Sequence, residues 1–274
     1  MKVRKADGSL QDFDKEKVIR TCLRMGASQE QAKWVADEVE KRIYENIPTK
    51  RILQLIFKYL GKLRPKLKYQ RDLREAISLL KPKPDFELFI AKILEEYGYK
   101  IERNLIIPGK CVEHEVDVVA KKGKETLLIE IKHHFNHHTY TGLRVFLEAW
   151  AAYEDIKDGF KEGKHNFNFT RLLVISNTKI SAHGKRFSEC KGISYIGWRY
   201  PEEEGLENLI EAKKLYPISL IKGLNEKERD SLVNAGIVLI KQVASLKPEE
   251  LSKKAKLSKE FCLKIIQRAK EILG

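Results

Sequence analysis

Between His114 and His134 the chain reads HEVDVVAKKGKETLLIEIKHH, two apolar runs around a Lys/Gly turn. This pattern predicts a buried β-hairpin, yet Asp117, Glu130 and Lys132 stand where a buried sheet takes valine or leucine. Residues two apart on a strand share a face, so Glu130 and Lys132 point one way while Ile129 and Ile131 pack behind. On the preceding strand Val116 and Val118 are expected to face away from Asp117, and the hairpin can set Asp117 beside Glu130. Two adjacent carboxylates repel and lose solvation unless a cation neutralises them, and hard oxygen ligands suit Mg²⁺ or Mn²⁺. A nearby ammonium can then steer a nucleophile toward a phosphodiester. The competing explanation is a structural Glu–Lys pair on a sheet face.

The rest of the chain divides into three blocks. In the first, KVRKADGSLQDF carries an Asp7-Gly8 hairpin turn, and helical patterns follow at Lys17 to Met25, Ser28 to Tyr44 and Pro48 to Tyr59. Ser28 with Gln31 three residues on is a capping-box start. LLKPKPDF cannot continue a helix and reads as the best linker in the chain. Beyond it Asp85 is expected to cap a helix with Phe86, Phe89, Ile90, Ile93 and Leu94 on one face. Strand patterns at 100–107, 113–120 and 126–132, a helix from about 142 to 156, strand 171–176, a helical stretch near 181–190 and strand 193–198 complete the second block. The order α-β-β-β-α-β-α-β implies a mixed sheet with helices on both faces, an α/β core. The third block, from about Pro217, is helical in period throughout and holds 12 Lys/Arg against 7 Asp/Glu.

Charge and cysteine use narrow the function classes. A formal net charge of +14, spread along 274 residues, favours a polyanionic partner, although a lysine-rich surface of the thermophile kind gives the same number. Cys22, Cys111, Cys190 and Cys262 have no C-x-x-C spacing, which indicates neither a disulfide framework nor a thiolate zinc site. No apolar run has the length of a membrane span and the N-terminus lacks a secretory pattern, so the expected setting is cytoplasmic, with no membrane partner. The histidines of KHHFNHH are read either as a solvent-exposed loop or, for His134, as a group on the face of Glu130 and Lys132. His114 is expected beside Asp117.

Three resemblances follow from these residues. Asp117, Glu130-Ile131-Lys132 and the preceding helix DFELFIAKILEEYGYKI resemble the PD-(D/E)xK core of Mrr-type restriction endonucleases over roughly residues 85–200, with Val116-Asp117 in place of the usual Pro-Asp. This resemblance implies that Asp117 and Glu130 hold the metal, that Lys132 assists the attacking water, and that Glu87 orients a further water or metal. Residues 1–80 resemble the ATP-cone, a small α+β nucleotide-sensing domain, with matches at Val3, Lys5, Asp7, Gly8, Phe13, Asp14, Lys17, Tyr69 and Arg71 and departures at Ala6 and Gln11. It implies ATP or dATP as effector, with Val3, Lys5, Lys17 and Arg20 at the nucleotide; a retained protein-interaction module is the alternative. Residues 217–274 resemble an all-α helix-hairpin-helix domain, with a glycine turn at Gly223 and a glycine-free one at Lys256-Leu257-Ser258. Such a domain implies DNA contact, against which a protein partner stays open. Together they imply a Mg²⁺- or Mn²⁺-dependent DNA endonuclease regulated by a nucleotide, with a homodimer as one arrangement. The alternative is a non-catalytic, nucleotide-responsive DNA-binding regulator.

Overall fold

The structure, a computed structural model, describes residues 1–25, 27–63 and 71–274, so Tyr69 of the cone pattern lies outside the described residues. It forms two compact units, residues 1–71 and 72–273. Among the described residues no helix is long and apolar enough to cross a membrane.

In the first unit, strands β1 (Lys2–Arg4) and β2 (Leu10–Asp12) form the hairpin around Asp7-Gly8. Helices α1 (Lys15–Arg24) and α2 (Gln29–Glu40) follow; Asp14 caps the first, and Ser28 with Gln31 forms the capping box of the second. Strand β3 (Ile47–Pro48), absent from the sequence pattern because it is two residues long, pairs parallel to β1 and leads into α3 (Thr49–Leu63). Val3, Val18, Val35, Ile47, Ile56 and Leu60 are among the residues of its own core.

The second unit begins with α4 (Leu73–Ser78). The proline-lysine segment expected as a linker lies inside this unit. Phe86 is fully buried, Asp85 nearly so, and Lys81 Nζ pairs with Asp230 Oδ1 at 2.8 Å. Asp85 does not cap the next helix: its carboxylate accepts from the Lys81 backbone N–H at 3.2 Å, pinning the bend that Pro82 and Pro84 impose. Then come α5 (Glu87–Glu96), β4 (Lys100–Pro108), β5 (Glu113–Lys122), β6 (Glu125–Lys132), β7 (Tyr140–Thr141), α6 (Leu143–Lys161), β8 (Arg171–Ser176), β9 (Lys179–Ile180), α7 (Ala182–Lys191) and β10 (Ser194–Ile196). The main sheet runs β10-β8-β6-β5-β4, antiparallel through β4, β5 and β6 and parallel through β6, β8 and β10. It is a mixed sheet with helices on both faces.

Helices α8 (Leu206–Ala212), α9 (Glu226–Asn234), α10 (Ile240–Ser245), α11 (Pro248–Ala255) and α12 (Lys259–Leu273) close the chain. They do not build a separate core. Ile77, Phe89, Ile129 and Ile175 belong to the same buried cluster as Ile210, Leu232, Val243 and Ile265, and Lys241 of α10 pairs with Glu96 of α5, so the C-terminal helices extend the core of the second unit. The opposite face packs Leu128, Val119 and Val174 against Phe146 and Tyr153 of α6. Burial of this much aliphatic and aromatic surface, at about 25 cal/mol per Å², is the main force holding the sheet in place.

Candidate active site

The hairpin ladder between β5 and β6 runs from Lys122↔Glu125 to Val118↔Ile129 and stops there. Asp117 and Glu130 are the next position on each strand. Beyond this point β6 stays with β8, pairing Glu130 with Val174 and Lys132 with Ser176, so β5 and β6 part company. The Asp117 carboxylate closes the gap by accepting the Ile131 backbone N–H at 2.8 Å, which satisfies a buried donor that the ladder no longer serves. The strand also turns here: Val116 packs into the α6-side core and Val118 into the α5-side core, so they do not share one face as alternation predicts. On the neighbouring strand Asn104, between the paired Arg103 and Leu105, adopts φ +53°, the left-handed conformation that breaks regular alternation.

Glu87, the first residue of α5, is buried beside Asp117. Burial first, then the charge of Asp117, pushes its carboxyl up to about 7, with Lys83 pulling the other way. Glu130 is half-buried, and burial followed by Asp117 raises it likewise to about 7 against the pull of Lys132 and Lys83. Glu148, on the exposed face of α6, adds a smaller upward push. Lys132 is exposed at the rim, and Ile129 and Ile131 pack behind as the alternation predicts. Glu87, Asp117, Glu130 and Lys132 are thus gathered at one end of the sheet, where two carboxyls are poised between charged and neutral near physiological pH.

Lys83 was not singled out by the sequence. Its Nζ lies 2.7 Å from Glu115 Oε1, 3.1 Å from Asp117 Oδ1 and 3.3 Å from Glu87 Oε1. Burial opposes its charge, but the hydrogen bonds to Glu115 and Asp117 outweigh it and hold the ammonium well above the usual lysine range. The one available signal was a lysine four residues before Glu87, hidden by the reading of KPKP as a linker.

The histidines take other posts. His114 pairs with Asp155 of α6 at 2.8 Å, and not with Asp117. His133 Nε2 lies 3.1 Å from the Ile77 carbonyl and its ring packs on Phe86. His137 Nδ1 meets Ser78 Oγ at 3.0 Å, and burial leads the causes that push it down to about 4. His134 is held by Asn177 through its backbone and lies 3.3 Å from the Thr141 hydroxyl. They pin the loop after β6 to α4 and to β8. The sequence hid this, because Ile77, Ser78 and Asn177 lie 43 to 59 residues from the histidines they hold.

A metal must be accommodated by the donors present. Among the described residues no three His, Cys, Asp or Glu side chains converge as a ready metal cage. Asp117 and Glu130 are two hard-oxygen donors whose mutual repulsion asks for a cation, and no ion pair engages Glu130 among the described residues. This donor set fits an open two-carboxylate site of the kind Mg²⁺ occupies while keeping several waters.

In the first unit Val3 is buried at the centre of its sheet, paired on both sides, and so offers a ligand no side-chain surface. Lys5 follows β1 at the hairpin turn, its N–H donating to the Ser9 carbonyl. Lys17 and Arg20, both more than half exposed, converge on Asp14 at 3.8 and 3.7 Å. At the C-terminal end Gly223 turns with φ +88°, and the Arg268 guanidinium lies against it while donating to the Lys222 carbonyl at 2.8 Å. The second turn places Lys256 itself in the left-handed conformation at the end of α11.

An uncharacterized protein of Archaeoglobus fulgidus is 38% identical to the chain over 185 residues, which is 68% of this chain and 100% of that protein. A solved structure described as the crystal structure of a protein of unknown function, AF1548, superposes with a TM-score of 0.61 at 37% identity, covering 69% of this chain and 96% of that one. The family model described as AF1548-like, C-terminal, matches residues 216–273. The chain belongs to the AF1548-like family. Within this AF1548-like protein, the restriction endonuclease family model matches residues 81–196 and the ATP cone domain model residues 1–75. A second uncharacterized A. fulgidus protein is 49% identical over 41 residues, 15% of this chain and 87% of that protein. The third block thus matches an AF1548-like domain, where the sequence suggested a helix-hairpin-helix.

Proposed function

We propose that this AF1548-like protein is a DNA endonuclease that hydrolyses phosphodiester bonds with Mg²⁺ or Mn²⁺, its reacting groups being Asp117, Glu130 and Lys132. The observation that carries the reading is the parting of β5 and β6 at Asp117 and Glu130. There β5 and β6 stop pairing, and Lys132, two residues beyond Glu130, is exposed. Asp117 and Glu130 would hold the divalent cation, which would supply Lewis-acid stabilisation of charge on the phosphodiester. The hydrogen bond from the Ile131 N–H fixes the Asp117 carboxylate through Oδ2, leaving Oδ1 to Lys83. Lys132, on the face of Glu130, brings an ammonium that can hold a water or a non-bridging phosphate oxygen in line. Glu87, with its raised pKa, accepts or returns a proton beside Asp117 without a large change in free energy.

The remaining parts serve binding and control in this reading. The cone senses ATP or dATP through Lys5, Lys17 and Arg20, and the C-terminal helices contact the DNA backbone through Lys253, Lys254, Lys256 and Lys259, all exposed. Incubation of supercoiled plasmid with the full chain, with Mg²⁺ or Mn²⁺ and with EDTA, tests the proposal. Nicked or linear product that EDTA and Asp117→Asn both abolish is the expected result. Product formed equally by Asp117→Asn would remove the site, and intact plasmid under all conditions would favour a DNA-binding regulator.

A further inference from the structure

One ammonium serves three carboxylates at the edge of this site, and their needs differ. Asp117 and Glu87 expose only 9% and 3% of their side chains, so each depends on a nearby cation when charged; Glu115 exposes 62% and is largely solvated by water. Lys83 exposes 52%, and the backbone that carries it stands between Pro82 and Pro84, whose rings fix φ on either side. The backbone is therefore held while the four-carbon side chain keeps room to swing. Asp117 Oδ1, which meets Lys83, is also the oxygen left open for a ligand once Oδ2 has taken the Ile131 N–H. An ammonium and a dication cannot share that oxygen without strong repulsion, which at about 4 Å amounts to several kcal/mol in a partly buried setting.

We infer that Lys83 is the resident counter-cation of the Asp117 site, holding Asp117 until a divalent cation takes Oδ1 and then withdrawing onto Glu115 at the outer edge. The inference rests on the reading of Asp117 and Glu130 as metal-binding groups. It makes Lys83 a positioning residue that lowers metal affinity by competition and keeps the buried carboxylates neutralised in the metal-free protein. Glu115 is the second half of the device, because it gives the withdrawn ammonium a partner.

Two substitutions must then move metal affinity in opposite directions and depend on each other. The measurement is Mn²⁺ binding to the full chain, followed by loss of the free-ion electron paramagnetic resonance signal, with Asp117→Asn defining binding at other sites. Lys83→Met tightens the Asp117-dependent Mn²⁺ dissociation constant by about fivefold, the equivalent of about 1 kcal/mol. Lys83→Arg, which keeps the charge, stays near wild type and shows that the change follows charge and not altered folding. Glu115→Gln weakens binding by about twofold in the wild-type background and has no effect beside Lys83→Met, since no ammonium is left to park. Wild-type Mn²⁺ affinity in Lys83→Met, or a Glu115→Gln effect that persists in its presence, would overturn the role of Lys83 and leave the nuclease reading standing. If no Asp117-dependent Mn²⁺ binding appears in any variant, the metal reading itself falls and Lys83 with it.

Discussion

The Asp117 carboxylate and the Ile131 amide meet at 2.8 Å, so a side chain replaces a ladder hydrogen bond at the point where two strands diverge. The charge is thereby part of the fold as well as part of the site, and substitutions there must be chosen to separate the two roles. Asp117→Asn keeps an oxygen for the Ile131 N–H, whereas Asp117→Ala leaves a buried donor unpaired, at a cost of about 1–3 kcal/mol. Asn is therefore the cleaner probe. It should lower metal-dependent cleavage by at least about 100-fold while DNA retention in a filter assay stays within about twofold. Retention that falls in parallel with cleavage would show that Asp117 acts on binding or folding.

The raised carboxyls give a stability signature with a definite sign. Glu87 and Glu130 titrate near 7 in the folded protein, above their ordinary value of 4.5, so the folded state binds more protons than the unfolded one between these limits. Their contribution is therefore most favourable below about 4.5 and is lost as pH rises through about 7. In EDTA, Glu130→Gln should stabilise the second unit at pH 7.5, on the order of 1–3 kcal/mol, and change little at pH 5, where the wild-type carboxyl is already protonated. Thermal melts at the two pH values decide it; an equal shift at both would mean that the charge of Glu130 costs the fold nothing.

DNA affinity can be tested without touching the core. Lys253, Lys254, Lys256 and Lys259 are exposed around the turn between α11 and α12. Replacing all four with Gln should lower the log–log salt dependence of duplex binding by about 0.9 for every phosphate that is no longer neutralised. Fluorescence anisotropy over a salt series measures the slope, and a slope equal to wild type would assign this turn to a protein partner.

In the cone, Asp14 caps α1 and holds both Lys17 and Arg20 on its carboxylate, so in the proposed nucleotide role it would compete with the phosphates for them. Asp14→Ser retains the cap and removes the competing charge. Calorimetry should show ATP binding severalfold tighter in Asp14→Ser and severalfold weaker in Lys17→Ala or Arg20→Ala. The absence of heat at millimolar ATP in all of them would make the cone a scaffold.

Much of this was legible from local pattern. The D…ExK spacing, the Ile129/Ile131 backing and the Phe86-to-Leu94 helix face are written in residues a few positions apart, at periods of two and 3.6. The parting of β5 and β6 was not, since it lies beside Asn104 on one strand and the β6–β8 pairing on another, both remote in sequence from the hairpin turn. Lys83 was hidden for the opposite reason: two prolines, a strong local signal for a break, also serve to fold a lysine back over a buried carboxylate. The third block looked separate because its helical period and charge are self-consistent; what its apolar stripes pack with is information carried by residues of the second block, such as Ile77 and Phe89, far upstream.

That shared core changes what a truncation means. Removing residues 217–274 takes Leu232, Val243 and Ile265 out of the buried cluster along with the lysines, so the product should expose apolar surface and aggregate. Size-exclusion chromatography of the truncated chain checks this; a monodisperse, folded product would show that α4, α5 and the sheet suffice.

Synthesis imposes an order on the same contacts. Ala76 and Ala269 belong to one buried cluster, and a ribosome adding about 5–20 residues per second separates their emergence by roughly ten to forty seconds. Throughout that interval the cluster lacks the apolar cover that the last helix supplies. The nascent second unit thus carries an incomplete apolar cluster until residues near Ala269 have emerged, an interval in which a chaperone has a surface to hold.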